Sequence, residues 1–251
     1  MVRVILHGAC GRMGHIIADL ASRDPEITIA AGVDAFGGTY ADFPVYNNLD
    51  DCAEEADVII DFSTAAALEK LFAFSEKKGL PVVVCTTGLS EEQTSRMMET
   101  AGKVAVLKSA NMSVGINLLQ NLLAEAAPKL AAAGFDIEIV EKHHKMKIDA
   151  PSGTAIALAE SVNSALENPY EYVYDRSARR EQRPVREIGI SAVRGGTIVG
   201  DHDVIFAGED EVITFSHRAY SRAVFGKGAI QAAKYLAGKP AGFYTMQDVL
   251  S

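Results

Sequence analysis

Short apolar runs alternate with helical repeats through the first half of the chain. Val2 to Leu6, Ile27 to Val33 and Val58 to Phe62 are nearly continuous apolar runs, and Pro81 to Cys85 and Val104 to Leu107 add two more. Runs of this length, apolar on both faces, predict buried parallel strands. Helical patterns lie between them, as in Ala65 to Lys78. Ser90-Glu91-Glu92-Gln93 has the spacing of a capping box that opens a helix. Strand and helix in alternation predict a parallel sheet covered by helices on both faces.

The texture changes near Asn111. Val114 to Leu130 reads as a long apolar-periodic helix, and Asp136 to Glu141 alternates polar and apolar as a half-solvated strand does. Ser152 to Leu166 predicts another helix, and Glu167 to Pro184 is polar and expected to be irregular. Ile188 to Val193, Val204 to Ala207 and Val212 to Ser216 read as antiparallel strands, with turns at Gly195-Gly196 and Gly208-Glu209. Ala223 to Ala237 is a final helix, and a short tail ends at Val249-Leu250. There is no internal repeat and no low-complexity segment.

At 251 residues the chain is long enough for one large domain or two modest ones. A net charge of -9 argues against a nucleic-acid partner, because phosphate neutralisation would need the opposite sign. No apolar stretch approaches a membrane span, and the Val2 to Leu6 run is too short for the apolar core of a signal peptide, so a cytoplasmic location is expected. Cys10, Cys52 and Cys85 are widely spaced and odd in number, which predicts three free thiols and no structural metal.

The first candidate chemistry follows the first strand. Gly8-Ala9-Cys10-Gly11-Arg12-Met13-Gly14 opens a helix from His15 to Ala21. Glycines let the backbone turn tightly and approach a pyrophosphate, and the helix start offers N–H donors and partial positive charge. Cys10 stands where the middle glycine of the common fingerprint would be. The second strand ends at Asp34, about 20 residues after Gly14, the spacing at which an acid accepts hydrogen bonds from adenosine ribose hydroxyls. Ala35 follows it, where a site selective for NADP would favour a basic residue. NADH is therefore the expected cofactor, with NADPH tolerated at most; Arg12 is the nearest residue that could partly compensate. Cys85-Thr86-Thr87-Gly88 and Ser109-Ala110-Asn111-Met112 follow later parallel strands, whose carboxyl ends should face the nicotinamide side.

The second is His143-His144-Lys145-Met146-Lys147-Ile148-Asp149-Ala150-Pro151-Ser152-Gly153-Thr154-Ala155. An imidazole can donate or accept a proton near neutral pH. An ammonium group can polarise a C=N or C–O bond, or hold a carboxylate. Ser152-Gly153-Thr154, behind Pro151, predicts a carboxylate cradle of N–H and hydroxyl donors at a helix start. These are the parts needed to hold a small dianion and move a proton on it.

The whole pattern resembles the 4-hydroxy-tetrahydrodipicolinate reductase family, and the likeness covers essentially the full chain. Gly8 to Gly14, Thr86-Thr87-Gly88 and Asn111-Met112-Ser113-Val114-Gly115 look like the family's cofactor segments, and Glu141 to Ala155 is similar to its signature. The resemblance implies that His143 is the proton donor or acceptor and Lys147 a second donor, with substrate contacts at His144 and Gly153-Thr154. Ser221-Arg222 matches a segment near the substrate, with Arg222 as a carboxylate anchor. Two residues depart from the family: Cys85 stands where glycine is usual, and Ala35 replaces a frequent basic residue.

The expected fold class is α/β: an N-terminal Rossmann-like parallel-sheet domain, plus an α+β substrate and oligomerisation domain with an open mixed sheet. Residues 1–111 and 222–251 would bind the dinucleotide. Residues 112–221 would bind a small dicarboxylate heterocycle and, by resemblance, build a homotetramer. The reaction implied is NAD(P)H-dependent reduction of that heterocycle in diaminopimelate and lysine biosynthesis. Another dehydrogenase acting on an amino acid or sugar-like acid, and a redox sensor that binds NAD(H) without turnover, are the alternatives.

Overall fold

A computed structural model describes residues 1–40, 42–109 and 111–251. The chain forms two compact units, one of residues Met1–Val114 and Arg222–Ser251, the other of Gly115–Ser221.

The first unit begins with strand β1 (Val2–His7), helix α1 (Arg12–Ala21), β2 (Ile27–Val33) and a short β3 (Val45–Tyr46). β4 (Val58–Asp61), α2 (Leu68–Lys78), β5 (Val82–Val84), α3 (Glu91–Ala101) and β6 (Ala105–Lys108) follow. The Ser90 capping box forms as the sequence predicts, with Ser90 Oγ accepting the Gln93 N–H. The predicted helix from Ala65 begins with a 3-10 turn at Ala65–Ala67.

In the second unit, α4 (Val114–Ala132) leads to β7 (Asp136–His143), α5 (Gly153–Ala165), β8 (Glu171–Val173), β9 (Glu187–Arg194), β10 (Gly200–Ala207) and β11 (Val212–Ala219). The chain then returns to the first unit with α6 (Ala223–Leu236), β12 (Gly242–Tyr244) and α7 (Met246–Leu250).

The first sheet is parallel in the order β12-β6-β5-β4-β1-β2-β3. Alternate residues of β1 enter different cores, which is why its sequence is apolar throughout. Val4 and Leu6 pack with Ile17 of α1 and Ala229 and Ala233 of α6. Ile5 packs with Leu71 and Phe72 of α2 and Met97 of α3. β1 lies between β2 and β4, whose connections run on opposite faces, so the sheet opens at the carboxyl end of β1. Open α/β sheets bind ligands at such a point.

The second sheet has the order β11-β10-β7-β9-β8. β7 alternates half-buried and buried positions along its length, and Ile137 and Ile139 join Leu158 and Val162 of α5 in a third core.

Three expectations are corrected. β9 is not antiparallel; it runs parallel to β7 and to β8, so the strands joined through Gly195-Gly196 are not neighbours. The polar stretch taken as irregular contains β8. The tail adds β12 to the edge of the first sheet, where Gly242, Phe243 and Tyr244 stand beside Ala105, Val106 and Leu107 of β6.

Candidate active site

The glycine loop closes the carboxyl end of β1. Gly8 has φ +79°, and a Cβ there would lie 2.6 Å from the Phe62 carbonyl oxygen, so both the turn and the neighbour require glycine. A Cβ on Gly14 would collide with the Ala9 carbonyl, which shows how closely α1 approaches the loop. Gly11 caps α1 without a side chain, and its first turn carries no acidic residue. Its first N–H groups have no intrahelical acceptor, and they suit an anion. The space is a cavity of about 290 Å³ lined by His7, Gly8, Cys10, Gly11, Asp34 and Ala35 on one side and Phe36, Phe62, Ser63, Thr64 and Ala67 on the other. A dinucleotide fits these donors: glycine backbone at the centre, helix start at one edge, carboxylate at the other.

Asp34 is preorganised rather than loose. Its Oδ2 accepts the Cys10 N–H at 2.9 Å and its Oδ1 the Phe36 N–H at 3.1 Å. Tyr40 covers the loop from above, donating its hydroxyl to the Ala9 carbonyl at 2.7 Å while the ring stacks on Phe43. Arg12 is exposed and Met13 half-buried.

The later cofactor segments divide. Thr86 is buried and donates its hydroxyl to Asp61 Oδ2 at 2.7 Å, whereas Thr87 is exposed. Ser109 donates to the Asn111 carbonyl at 2.9 Å, and Asn111 Oδ1 accepts the Ser113 N–H. Ala110 lies outside the described residues. The side chains of Cys85 and Met112 both pack into the core on the α1/α6 face. Burial pushes the Cys85 thiol well above its ordinary pKa, and Asp61 adds to it. The three cysteines are free thiols.

Sequence reasoning missed a polar group at the same end of the sheet. His7 and Asp61 stand opposite each other as the last residues of β1 and β4, and His7 Nδ1 lies 2.9 Å from Asp61 Oδ1. Asp61 is fully buried and also accepts the Ser63 hydroxyl at 2.6 Å. Burial opposes its ionisation, yet the hydrogen bonds from His7, Ser63 and Thr86 outweigh it and hold the carboxyl below the usual range. Lys108 donates to the Thr86 carbonyl at 2.6 Å, and burial lowers its pKa. The available signal was polar residues closing two apolar runs.

In the second unit the signature bends around Glu141. This carboxylate has no exposed surface. Arg194 grips it with two bonds of 2.7 Å, the Ser152 N–H donates to Oε1 at 2.9 Å, and His143 Nδ1 lies 2.6 Å from Oε2. Burial opposes ionisation here too, and these partners overcome it, so Glu141 titrates below the usual range. His143 ends β7 and is mostly buried. Its pKa is lowered, first by burial, while Glu141 works upward and Lys147 and Arg194 downward.

Arg194 Nη2 also donates to the Asp149 carbonyl at 2.6 Å, and the Gly195 and Lys145 N–H groups bond to His143 and Gly196 carbonyls. The loop carrying His144 and Lys147 is thereby stapled to the end of β9. His144 is half-buried, and Lys147 Nζ lies 2.8 Å from both oxygens of Asp149.

Ser152 faces inward. It is buried, its N–H is spent on Glu141, and its hydroxyl oxygen accepts the Ala155 N–H as the cap of α5 and meets His202 Nε2 at 3.0 Å. These bonds brace the turn at the start of α5. Pro151 precedes the cap instead of starting the helix. Gly153 is exposed with open space where a Cβ would stand, and Thr154 is half-buried. Arg222 belongs to the first unit, as the exposed N-cap of α6. His202 was not foreseen. It is buried, its ring stands edge-on to His143 at 5.1 Å, and burial lowers its pKa to about 4.

Among the described residues no group of three or more His, Cys, Asp or Glu side chains is placed to hold a metal, and no helix is long and apolar enough to cross a membrane.

Comparison with known proteins is consistent along the chain. The family model for the N-terminus of dihydrodipicolinate reductase matches residues 2–112, and that for the C-terminus matches residues 115–250. A 4-hydroxy-tetrahydrodipicolinate reductase of Caldanaerobacter subterraneus subsp. tengcongensis is 54% identical over all of this chain and 98% of that protein. One from Clostridium tetani is 46% identical with the same coverage. The solved dipicolinate-bound dihydrodipicolinate reductase from Paenisporosarcina sp. TG-14 superposes with a TM-score of 0.79 at 23% identity, covering 98% of this chain and 97% of that one.

Proposed function

Since the chain belongs to the dihydrodipicolinate reductase family, we propose that it uses His143 and Lys147 to protonate a cyclic dicarboxylate during its reduction. The activity is that of an NAD(P)H-dependent oxidoreductase: 4-hydroxy-tetrahydrodipicolinate is reduced in the diaminopimelate and lysine pathway. The product is tetrahydrodipicolinate, with water lost from the hydroxylated ring. The reduced nicotinamide, when bound, supplies the hydride, and the protein supplies position, charge and the accompanying proton.

The first unit would hold the cofactor. Gly8, Ala9, Cys10, Gly11, Arg12 and Met13 would hold the pyrophosphate and Asp34 the adenosine ribose. Thr86 and Thr87, with Ser109, Ala110, Asn111 and the backbone at Cys85 and Met112, would hold the nicotinamide end. Asp34 followed by Ala35 supports a preference for NADH, since the residue next to the carboxylate in sequence brings no positive charge for a second phosphate. Residues 112–221 would hold the substrate, with one carboxylate on the Gly153-Thr154 helix start and His144 beside it. Arg222 is the proposed anchor for the second carboxylate.

The observation that carries this reading is His143 at the end of β7. It is mostly buried, within electrostatic reach of Lys147, and its Nδ1 is occupied by Glu141. Such an imidazole has one nitrogen left for a substrate and a neighbouring cation to help hold an anion.

The exposed apolar residues Leu118 and Leu122 on α4 and Val212 on the edge strand β11 support self-association, and a homotetramer is the proposed assembly. Its proposed location is the cytoplasm.

Coupled turnover tests the reading. The heterocycle is generated in situ from pyruvate and aspartate semialdehyde by its synthase, and loss of reduced nicotinamide is followed for NADH and NADPH. Substrate-dependent oxidation, lost in His143→Ala and Lys147→Ala, is expected. Oxidation that survives both substitutions would overturn the roles given to these residues.

A further inference from the structure

We infer that Glu141, held ionised by Arg194, is a positioning residue that decides which nitrogen of His143 meets the substrate. The inference rests on the reading of His143 as proton donor and deepens it by naming what sets that donor's tautomer.

The geometry supports it in three steps. Glu141 and His143 are two residues apart on β7, so both side chains leave the same face of the sheet. Arg194 is the in-register partner of His143 on β9 and takes both Glu141 oxygens at 2.7 Å, a bidentate grip that keeps a fully buried carboxylate charged. A charged carboxylate has only acceptors. At 2.6 Å from Glu141 Oε2, His143 Nδ1 must therefore carry a hydrogen. The neutral ring presents its lone pair at Nε2, and the imidazolium presents there the one proton free to leave.

Nε2 faces β10. Gly200 on β10 lies beside it, and a Cβ at that position would stand 3.0 Å from Nε2. The charged and titratable groups facing His143 are Glu141 on its own strand, Arg194 on β9, His202 on β10 and Lys147 in the following loop; His217 on β11 faces His202. Of the groups acting on His143, only Glu141 favours its protonated form. Removing that negative charge therefore makes the proton easier to lose.

Two measurements test this. Nitrogen NMR of the wild-type protein labelled with 15N-histidine, with His143 assigned through H143N, reads the tautomer of the neutral ring directly. Nδ1–H is expected, and Nε2–H would overturn the inference. The second is the pH profile of E141Q. A neutral amide keeps the shape but can donate as well as accept, so the ring is no longer confined to one tautomer. The expected result is a fall in kcat of roughly 100-fold or more at unchanged KM for the nicotinamide cofactor, with the alkaline limb of kcat/KM moved to lower pH. A folded E141Q enzyme whose alkaline limb coincides with wild type would show a structural role only and overturn the inference.

The NMR experiment needs no variant at position 141, so it decides even where E141Q fails to fold. The two readings fail separately. An H143Q enzyme with full kcat would remove the proton-donor role and leave the NMR answer standing, whereas an Nε2–H tautomer would remove Glu141's role whatever H143Q does.

Discussion

The carboxylate of Asp34 accepts the backbone N–H of Cys10 at 2.9 Å, so the acid closing β2 is tied to the glycine loop that closes β1. Two parts of the proposed nucleotide site, 24 residues apart in sequence, are thus set against each other in the folded unit. Asp34→Ala removes a ribose acceptor and a support of the loop. The KM for NADH is expected to rise about tenfold or more, with kcat changed less, because hydrogen bonds to charged groups are worth about 1.5–3 kcal/mol. Ala35→Arg is expected to raise kcat/KM for NADPH relative to NADH. Steady-state kinetics with both cofactors checks both.

Asp61 joins the ends of β1, β4 and β5 through His7, Ser63 and Thr86. Asp61→Ala strands those donors in a buried site and is expected to cost about 3 kcal/mol of stability, read by urea unfolding. The carboxyl titrates below its usual range in the folded protein. Its stabilisation is therefore complete above the unfolded carboxyl pKa and is lost as pH falls through the folded one. The acid arm of the stability curve should flatten in the variant.

His202 has a folded pKa of about 4, well below that of an unfolded histidine. The unfolded chain then binds a proton that the native protein refuses. Stability is full above about pH 6.5 and falls by roughly 2–3 kcal/mol as pH drops toward 4. His202→Gln should remove most of this slope. Unfolding curves at several pH values measure it, and an unchanged slope would place the acid sensitivity elsewhere.

Gly200 leaves the space that His143 Nε2 needs. Gly200→Ala places a methyl 3.0 Å from that nitrogen. A drop in kcat of about tenfold is expected with the KM for NADH unaltered, since the residues proposed to hold the cofactor belong to the first unit and Gly200 to the second. Equal losses in both parameters would point to a wider disturbance.

Cys10 lines the cavity at the glycine loop, whereas Cys85 lies in the core with its thiol well above its ordinary pKa. Since the thiolate is the nucleophile, alkylation near neutral pH should label Cys10 well before Cys85, and saturating NADH should slow it. Mass spectrometry of tryptic peptides reads both sites. Labelling of Cys85 first would contradict its burial.

Much of the fold is local and therefore legible in the chain. Apolar runs mark the central parallel strands because both faces of each are buried. Ser90 and Gln93 announce α3 because a capping box is made by neighbours in sequence. The glycine loop and the His143 to Gly153 stretch are equally local, since a tight turn or a helix start needs particular residues at fixed offsets.

What the sequence alone could not determine are relations between distant residues. β8, β3 and β12 are too short to carry a period, and they form strands because a sheet edge accepts them. The direction of β9 follows from its seat between β7 and β8, although its turn glycines suggested a hairpin with β10. Arg194 and Glu141 are 53 residues apart, and neither residue type by itself signals a buried pair. By sequence alone this chain determined its strands, helix starts and glycine turns, whose forces act within a few residues. The tertiary structure decided that Ser152 bonds Glu141, that Cys85 is buried and that Glu141 is gripped by Arg194 beside His143, because register and burial arise only when distant strands meet.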